Sequence, residues 1–267
     1  MEKDEIIKTF VSGQKEVALV KNEKYGVCIR KTKKENTSTS RIVREIEIQN
    51  KFNCEYYPKI YFSDINPDKL LIYEEYIQGK DLSCIFKSDN YYKNNEGECI
   101  NLLKHLLLGL NYIWNESIVH RDLKPQNIII KDDKKPVILD LGIAKILDGN
   151  DSTTLWFTAG YAPIEQFSGK TGQIDKRTDF FSIGVIIYEM FFGERLFRNN
   201  DEVINKEPKF DLDGFSVSEE FRSILNKMLG KRIFERYRKV DDILADINAI
   251  QKGESDEKNK NISSMWI

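Results

Sequence analysis

Four polar residues stand at a spacing suited to phosphoryl transfer. Asp122, Lys124 and Asn127 lie close together in one run, and Asp140 follows further along the chain. Phosphoryl transfer needs little covalent chemistry from a protein, but it needs positioning and cations that neutralise developing charge. A carboxylate such as Asp122 can accept the proton of an attacking hydroxyl, and an ammonium can reach the moving phosphate. Asn127 and Asp140 offer the hard oxygen ligands that Mg²⁺ prefers.

The elements around these residues must bring Asn127 and Asp140 to one place. Between them the chain reads IIIKDDKKPVILD, which is an apolar run, a charged turn and a second apolar run. That pattern predicts two short strands joined by a turn. The strand ends that carry Asn127 and Asp140 would then lie side by side, so both residues can serve one site.

The first third of the chain favours strands, and the remainder favours helices. Strand-like stretches are residues 6–11, 16–21, 25–32, 59–63 and 69–77. A helix is expected after the cap residues 38–40, and apolar-rich helices dominate from residue 98 onward. This is an α+β plan. We divide it into a first domain, 1–77, a second domain, 78–250, and a charged tail without regular structure, 251–267.

Composition narrows the class of protein further. Lys+Arg 41 nearly balance Asp+Glu 43, giving a net charge of −2, which argues against a bulk nucleic-acid binder. The four cysteines lack the spacing of a zinc site or a disulfide framework. The apolar run at 180–188 is too short to span a bilayer and predicts a buried core helix instead. We therefore expect a soluble, cytoplasmic protein that contacts neither membrane nor nucleic acid.

Two longer motifs carry a family resemblance. Ile118-Val-His-Arg-Asp-Leu-Lys-Pro-Gln-Asn127, with Asp140-Leu-Gly142 after it, resembles the catalytic loop and the metal-binding Asp-Phe-Gly of the protein kinases. Leu141 takes the place of the phenylalanine. Thr158-Ala-Gly-Tyr161-Ala-Pro-Ile-Glu165-Gln is similar to the end of a kinase activation segment, especially in bacterial members. The chain thus resembles the bacterial-type, eukaryotic-like Ser/Thr protein kinases over roughly residues 5 to 250.

The resemblance implies a fold, a reaction and a set of residue roles. The fold is bilobal, with a small β-rich lobe and a larger helical lobe. The reaction transfers the γ-phosphate of ATP, with Mg²⁺ or alternatively Mn²⁺, to a protein hydroxyl. The resemblance makes Asp122, Lys124 and Asn127 catalytic, and Asn127 and Asp140 metal ligands. It gives structural roles to Glu165, which pairs with an arginine matched here by Arg236, and to Asp179, which anchors the catalytic loop.

The nucleotide-binding part departs from the family pattern. A kinase glycine-rich loop reads G-x-G-x-x-G-x-V, and the corresponding stretch here keeps only Gly13 before Val17. Glu45 resembles the helix glutamate that orients the phosphate-binding lysine. The remaining residues that the resemblance assigns to ATP are Glu75 and Ile77, in a hinge-like segment, and Ile129.

The cation that binds the phosphates is open between two neighbours. The stretch Val27-Cys28-Ile29-Arg30-Lys31 can be laid on the family's Val-Ala-Ile-Lys in two registers, and strand alternation makes them mutually exclusive. One register places Cys28 over the adenine and Arg30 at the phosphates, and it packs better. The other places Lys31 at the phosphates and Ile29 over the base, and it keeps the lysine that the chemistry favours.

The activation segment offers a hydroxyl near the catalytic loop and sites of control. The resemblance places Thr158 near Asp122 and Lys124, as in Ser/Thr kinases. Arg121, beside Asp122, suggests control through phosphorylation of the loop, with Ser152, Thr153 and Thr154 as the nearest hydroxyls.

Two other functions share this fold. The eroded glycine loop and the ambiguous lysine would suit a pseudokinase that binds nucleotide or acts as a scaffold, although such a module has no need for the full set of catalytic residues. A small-molecule phosphotransferase is a further alternative, but enzymes of that class lack the Lys124-Pro125 pair and the Tyr-x-x-x-Glu-Gln ending seen here. The residues favour a protein kinase that phosphorylates Ser and Thr, including its own activation segment.

Overall fold

A computed structural model describes residues 4–10, 15–33, 40–51, 54–66, 69–88, 90–141, 158–167 and 174–264, with the backbone alone at 40–42, 44–45 and 254–264. The chain divides into two compact units. The first is Met1–Leu82 with Gln126–Gly149, and the second is Ser83–Pro125 with Asn150–Ile267. The predicted boundary at residue 77 lies close to the first division. The segment from Gln126 differs from the prediction and belongs to the first unit, because its strands pair with a strand there.

The first unit is built on a five-stranded antiparallel sheet in the order β1-β2-β3-β5-β4. Its strands are β1 Asp4–Phe10, β2 Lys15–Asn22, β3 Gly26–Lys33, β4 Ile60–Asn66 and β5 Lys69–Glu75. They lie close to the predicted stretches, because alternation of apolar and polar residues is a direct signature of a half-buried strand. The sheet supports the strand-rich part of the predicted α+β fold.

The two faces of this sheet bury different groups. On one face, Val20 and Cys28 belong to a small core between β2, β3 and β5. On the other face, Ile72 of β5 packs with Ile46 of helix α1, Ser40–Lys51. Because successive residues of a strand point to opposite faces, neighbouring residues of β3 and β5 enter different environments. This separation decides which side chains can meet at a site.

A second, three-stranded sheet carries the predicted strand–turn–strand. It consists of β6 Lys80–Asp81, β7 Ile128–Ile130 and β8 Pro136–Ile138, in that order. Ile128 lies opposite Ile138, so β7 and β8 form an antiparallel hairpin, and that prediction is confirmed.

Helices dominate the chain after the boundary. They are α2 Leu82–Ser88, α3 Glu96–Asn115, α4 Ile164–Phe167, α5 Lys176–Phe192, α6 Asn200–Asn205, α7 Glu219–Met228 and α8 Val240–Ser264. Helix α5 is buried along its whole length from residue 178 to residue 192, as its apolar sequence predicts. Asp175 caps its start by accepting from the Arg177 N–H, and Gly193 ends it in the left-handed conformation.

Helix α8 continues through Ser264, whereas the sequence predicted no regular structure after residue 250. Its first turns are anchored by the buried Ile243 and Ile247, and Gln251 accepts from Lys104 Nζ at 2.9 Å. Once a helix is nucleated, each further turn adds hydrogen bonds at low cost, so the charged sequence extends it. No helix among the described residues combines the length and the hydropathy needed to cross a bilayer.

Gly160, in the Thr158–Gln166 motif, lies close to the backbone of Phe197, and a substitution can test this contact. Gly160 has φ +86, and a Cβ built on it would lie 2.3 Å from the Phe197 carbonyl oxygen. Gly214 has a similar φ of +83 with no atom within 4 Å of such a Cβ. Alanine at either position incurs backbone strain, but only Gly160→Ala adds a clash. The loss of unfolding free energy should therefore be about 1–3 kcal/mol larger for Gly160→Ala than for Gly214→Ala. Urea denaturation measures the difference, and equal losses would contradict it.

Candidate active site

The alternation of β3 separates the two candidate cations. Arg30 donates from Nη1 to Asp4 Oδ2 at 2.8 Å and so stabilises β1. Lys31 lies on the opposite face, where its Nζ is 2.8 Å from a Glu74 oxygen and 3.7 Å from Asp140 Oδ1. Of the two residues that the sequence left open, Lys31 is therefore the one that the structure places beside Asp140.

The better packing expected for the Arg30 register does not materialise, because it relied on Cys28. That register needed the small Cys28 side chain to face the nucleotide. Cys28 is instead fully buried, in the cluster that also contains Val20 and Tyr73. Burial also raises the pKa of the Cys28 thiol. Ile29, on the Lys31 side of the strand, is only half-buried.

The closest partner of Lys31 is a carboxylate that the sequence analysis did not single out. Glu74 is only 5% exposed. A buried carboxylate is stable only with a counter-charge or hydrogen-bond donors, and Lys31 provides both. A signal was available, because alternation along β5 puts Ile72 and Glu74 on one face, the face that α1 covers. A glutamate at such a position requires a cation nearby.

Val17, Gly13 and Glu45, which the sequence also assigns to the nucleotide, are described only in part. Val17 lies directly opposite Lys31 in the β2–β3 pairing, so it shares the face of that cation. Gly13 lies outside the described residues. Glu45 belongs to α1, whose Ile46 packs on this face, but the Glu45 side chain lies outside the described part.

The hinge-like segment begins where β5 ends. The Glu75 N–H donates to the Lys59 carbonyl at 2.8 Å, and the Glu75 carboxylate accepts from the Lys59 N–H at 3.1 Å. These two bonds fix the start of the segment to the residue that precedes β4. Ile77 is buried, and Ile129 is half-buried in β7 opposite Val137. Apolar side chains of this kind suit the flat surface of a purine.

The β7–β8 hairpin brings the two predicted metal ligands together. The Leu139 N–H donates to the Asn127 carbonyl at 2.8 Å, so Asp140 leaves the hairpin beside Asn127. Asp140 has φ +54, a left-handed conformation that aspartate adopts more readily than most residues. Among the described residues no cluster of three or more His, Cys, Asp or Glu could hold a metal unaided. An amide and a carboxylate instead suit Mg²⁺ that takes its other ligands from phosphates and water.

Asp122, Lys124 and Thr158 form a compact polar triangle in the second unit. The Thr158 hydroxyl donates to Asp122 Oδ1 at 2.8 Å. Lys124 Nζ is 3.1 Å from Asp122 Oδ2 and 3.2 Å from Thr158 Oγ1. The three residues are all half-buried, so each remains open to a ligand. A carboxylate that holds an alcohol can accept the proton of its hydroxyl. The neighbouring ammonium can hold a negatively charged group of a ligand at the same place.

The loop that carries Asp122 is held in place by the buried carboxylate of Asp179. Its Oδ2 accepts from Trp114 Nε1 and from the His120 N–H, both at 2.8 Å, and its Oδ1 accepts from the Arg121 N–H at 2.8 Å. Complete burial raises the pKa of Asp179, while charge on His120 and these hydrogen bonds oppose the rise. The predicted anchoring role of Asp179 thus has a direct geometric basis.

Arg121 has a strained backbone that its neighbours hold in place. Its φ of +63 is unusual for arginine and costs roughly 1–3 kcal/mol. The Asp179 carboxylate holds its N–H, and Gln166 Nε2 donates to its carbonyl at 2.6 Å. Burial lowers the pKa of the Arg121 guanidinium, with Asp179 opposing. In the described part of the chain, the buried Arg121 Nε has no hydrogen-bond acceptor.

The pair predicted between Glu165 and Arg236 is present and buried. Arg236 Nη1 and Nη2 donate to the two Glu165 oxygens at 2.6 and 3.1 Å. The Thr178 hydroxyl donates to the same carboxylate at 3.0 Å. The guanidinium also reaches the carbonyls of Gly230 and Arg177, at 2.8 and 3.0 Å. Such complete hydrogen bonding is what makes a buried ion pair tolerable.

A second buried network, which the sequence analysis missed, holds Tyr161. The Tyr161 hydroxyl donates to Glu189 at 2.7 Å and accepts from Arg195 Nη1 at 2.7 Å. Burial raises the pKa of Glu189 to about 7, and the bond from Tyr161 opposes the rise. The network ties the segment that carries Thr158 to α5. A glutamate inside the apolar α5 sequence was its visible signal.

Three predicted residues cannot be placed. Ser152, Thr153 and Thr154, the candidate phosphorylation sites of the activation segment, lie outside the described residues, as does Gly142 of the Asp140-Leu-Gly motif.

Comparisons with known proteins agree with this geometry. A family model described as the protein kinase domain matches residues 12–246. Serine/threonine-protein kinase cds1 of Schizosaccharomyces pombe is 30% identical over 74% of this chain and 45% of its own length. Serine/threonine-protein kinase pkn3 of Myxococcus xanthus is 28% identical over 72% of this chain and 38% of its own. The chain spans about half the length, or less, of the curated relatives that it matches.

The anchoring role of Asp179 is testable through Asp179→Asn. The amide keeps the shape but turns one acceptor oxygen into a donor that faces the N–H groups of Trp114, His120 or Arg121. The unfolding free energy should fall by about 2–4 kcal/mol. Asp213→Asn, at an exposed position of the same unit, should change it by less than about 0.5 kcal/mol. Chemical denaturation measures both, and similar small effects would argue against the anchor.

Proposed function

The chain belongs to the protein kinase family, and from this premise we propose that it transfers the γ-phosphate of ATP to serine and threonine hydroxyls of proteins. ATP-dependent phosphotransfer with a divalent metal is the activity typical of the family. One observation carries the proposal. Asp122 already holds an alcohol, the Thr158 hydroxyl, at 2.8 Å, with the Lys124 ammonium 3.2 Å from the same oxygen.

The chemistry at this triangle follows from its charges. A substrate hydroxyl bound at Asp122 attacks the γ-phosphorus, and the new O–P bond forms as the bond from phosphorus to the β–γ bridging oxygen breaks. Asp122 takes the hydroxyl proton, and ADP leaves with the electron pair. Lys124 lies within reach of both the carboxylate and the hydroxyl, so its positive charge stabilises the phosphoryl group during transfer.

The nucleotide and its metal are assigned to residues of the first unit. Asn127 and Asp140 would hold Mg²⁺, or Mn²⁺ in its place, and the metal would neutralise charge on the phosphates. Lys31 would bind phosphate oxygens as a point charge. Val17, Ile77 and Ile129 supply apolar surface for the base. The short distances from Lys31 to Glu74 and Asp140 support this assignment, because they keep the ammonium charged and fixed.

Control by phosphorylation of the activation segment is part of the proposal. Arg121 supports it, because a buried guanidinium with an unused Nε–H is a ready partner for a phosphate. The predicted acceptors remain Ser152, Thr153 and Thr154. A phosphate on one of them could pair with Arg121 and order the segment next to the catalytic loop.

Incubation of the full chain with Mg²⁺ and γ-labelled ATP tests the activity, with Asp122→Asn as the matched variant. Loss of the proton acceptor should lower the rate of phosphate transfer to the chain and to a generic protein by about 10²–10⁴-fold. Binding of Mg-ATP should stay within about threefold, since Asp122 contacts the hydroxyl rather than the nucleotide. Equal rates of labelling with the wild-type chain and with Asp122→Asn would refute kinase activity.

Mass spectrometry of the products separates this function from the two alternatives. Phosphate on serine or threonine, including residues 152–154, supports the proposal. Mg-ATP binding without any transfer would indicate a pseudokinase, and phosphate on a small metabolite would indicate a small-molecule phosphotransferase.

The choice of phosphate-binding cation is tested by a pair of neighbouring variants. Lys31→Met should weaken Mg-ATP binding roughly 10- to 100-fold, because a charge-assisted hydrogen bond is lost. Arg30→Met should leave that affinity within about threefold and lower the unfolding free energy by about 1 kcal/mol, since Asp4 loses its ion pair with Arg30 and keeps its hydrogen bonds from Asn22 and Tyr73. Calorimetric titration and denaturation measure the two effects. The reverse pattern would assign the phosphates to Arg30.

A further inference from the structure

A second lysine lies beside the carboxylate that Lys31 approaches. Lys15 opens β2 and is only 7% exposed, and its Nζ is 3.4 Å from Asp140 Oδ1. Lysine is among the residues least often buried, because removing an ammonium from water is costly unless a counter-charge is close. The chain therefore maintains two ammonium groups, those of Lys15 and Lys31, within 4 Å of one carboxylate oxygen.

Strand geometry places both lysines on one face of the sheet. Val17 lies directly opposite Lys31, and Lys15 precedes Val17 by two residues in the same strand. Residues two apart in a strand share a face, so Lys15 and Lys31 approach Asp140 from neighbouring strands. Their convergence results from the register of the β2–β3 ladder.

The two carboxylates beside these lysines, Glu74 and Asp140, differ in burial. Glu74 is 2.8 Å from Lys31, is buried and is not a proposed ligand of the metal. Asp140 is 53% exposed in its side chain and is the proposed metal ligand. Once its carboxylate serves a divalent cation, it offsets the Lys15 charge less. An anionic group that arrives with the metal then becomes the natural partner of Lys15.

The sequence shows what Lys15 replaces. In the pattern G-x-G-x-x-G-x-V, the last glycine stands two residues before the valine. Counting back from Val17 gives Lys15 at that position. A glycine there offers only a backbone N–H to phosphate, whereas Lys15 adds a full positive charge.

Resting on the proposed function, we propose that Lys15 is a second phosphate-binding cation that contacts the polyphosphate of ATP beside Lys31. The Lys15 ammonium binds the phosphates through its side-chain charge, whereas a glycine-rich loop binds them through backbone N–H groups. Phosphate binding by this chain then depends on two lysines, one held by Glu74 and one held by Asp140.

Nucleotide binding by the full chain tests this without relying on turnover. For Lys15→Met, the dissociation constants of Mg²⁺ with a non-hydrolysable ATP analogue and of adenosine are measured by calorimetry. Affinity for the analogue should fall roughly 10- to 100-fold, and affinity for adenosine should stay within about twofold, because only the phosphates touch Lys15. Lys21→Met is the matched control, a lysine of the same strand and face that is exposed, and both its affinities should match wild type.

Lys15→Arg separates charge from shape. Arginine keeps the cation, so most of the affinity for the analogue should return, to within roughly fivefold of wild type. If Lys15→Met does not fold, as judged by circular dichroism, Lys15→Gln is measured against the same two ligands and held to the same criteria.

Three results would overturn the proposal. The first is an affinity of Lys15→Met for the analogue that equals the wild-type affinity. The second is equal loss of both affinities, which marks a structural lysine. The third is tighter analogue binding, which shows that Lys15 only blocks Asp140 in the empty protein. A wild-type chain that binds the analogue but transfers no phosphate refutes the kinase activity and leaves the Lys15 comparison intact.

Discussion

The geometry of the catalytic loop depends on how the buried carboxylate of Asp179 satisfies three N–H donors at once. Burying a charge is expensive, and these bonds from Trp114, His120 and Arg121 offset that cost. In return they hold Arg121 in a backbone conformation that it would otherwise leave. Asp122 follows directly, so the backbone from which its carboxylate extends is positioned by a fully buried residue.

In the first unit, the corresponding electrostatic constraint is the burial of two lysines that we propose to bind an anionic ligand. Lys31 and Lys15 are both largely buried, and each is balanced by a carboxylate until a ligand arrives. The two carboxylates differ in burial, with Glu74 enclosed and Asp140 open. Exchange of partners is therefore easier at Asp140, where the metal is expected.

Sequence reasoning succeeded where the chemistry lies in contiguous residues and failed where partners are distant. The strands of the sheet and the β7–β8 hairpin follow from local alternation. Which of Arg30 and Lys31 lies beside Asp140 could not follow, because Arg30 pairs with Asp4, 26 residues before it. The role of Glu189 could not be predicted either, because it depends on a hydrogen bond from Tyr161, 28 residues away. The end of α8 escaped prediction because packing of its first turns outweighs the polar composition of its last ones.

The Glu165–Arg236 pair also sets an order of events during synthesis. The two residues are 71 positions apart, so at about 5–20 residues per second a ribosome adds the arginine roughly 4–14 s after the glutamate. Until then the Glu165 carboxylate lacks its buried counter-charge. The segment that carries Thr158 thus acquires its anchor late, after the loop that carries Asp122 has left the ribosome, and this packing is completed only once Arg236 has been added.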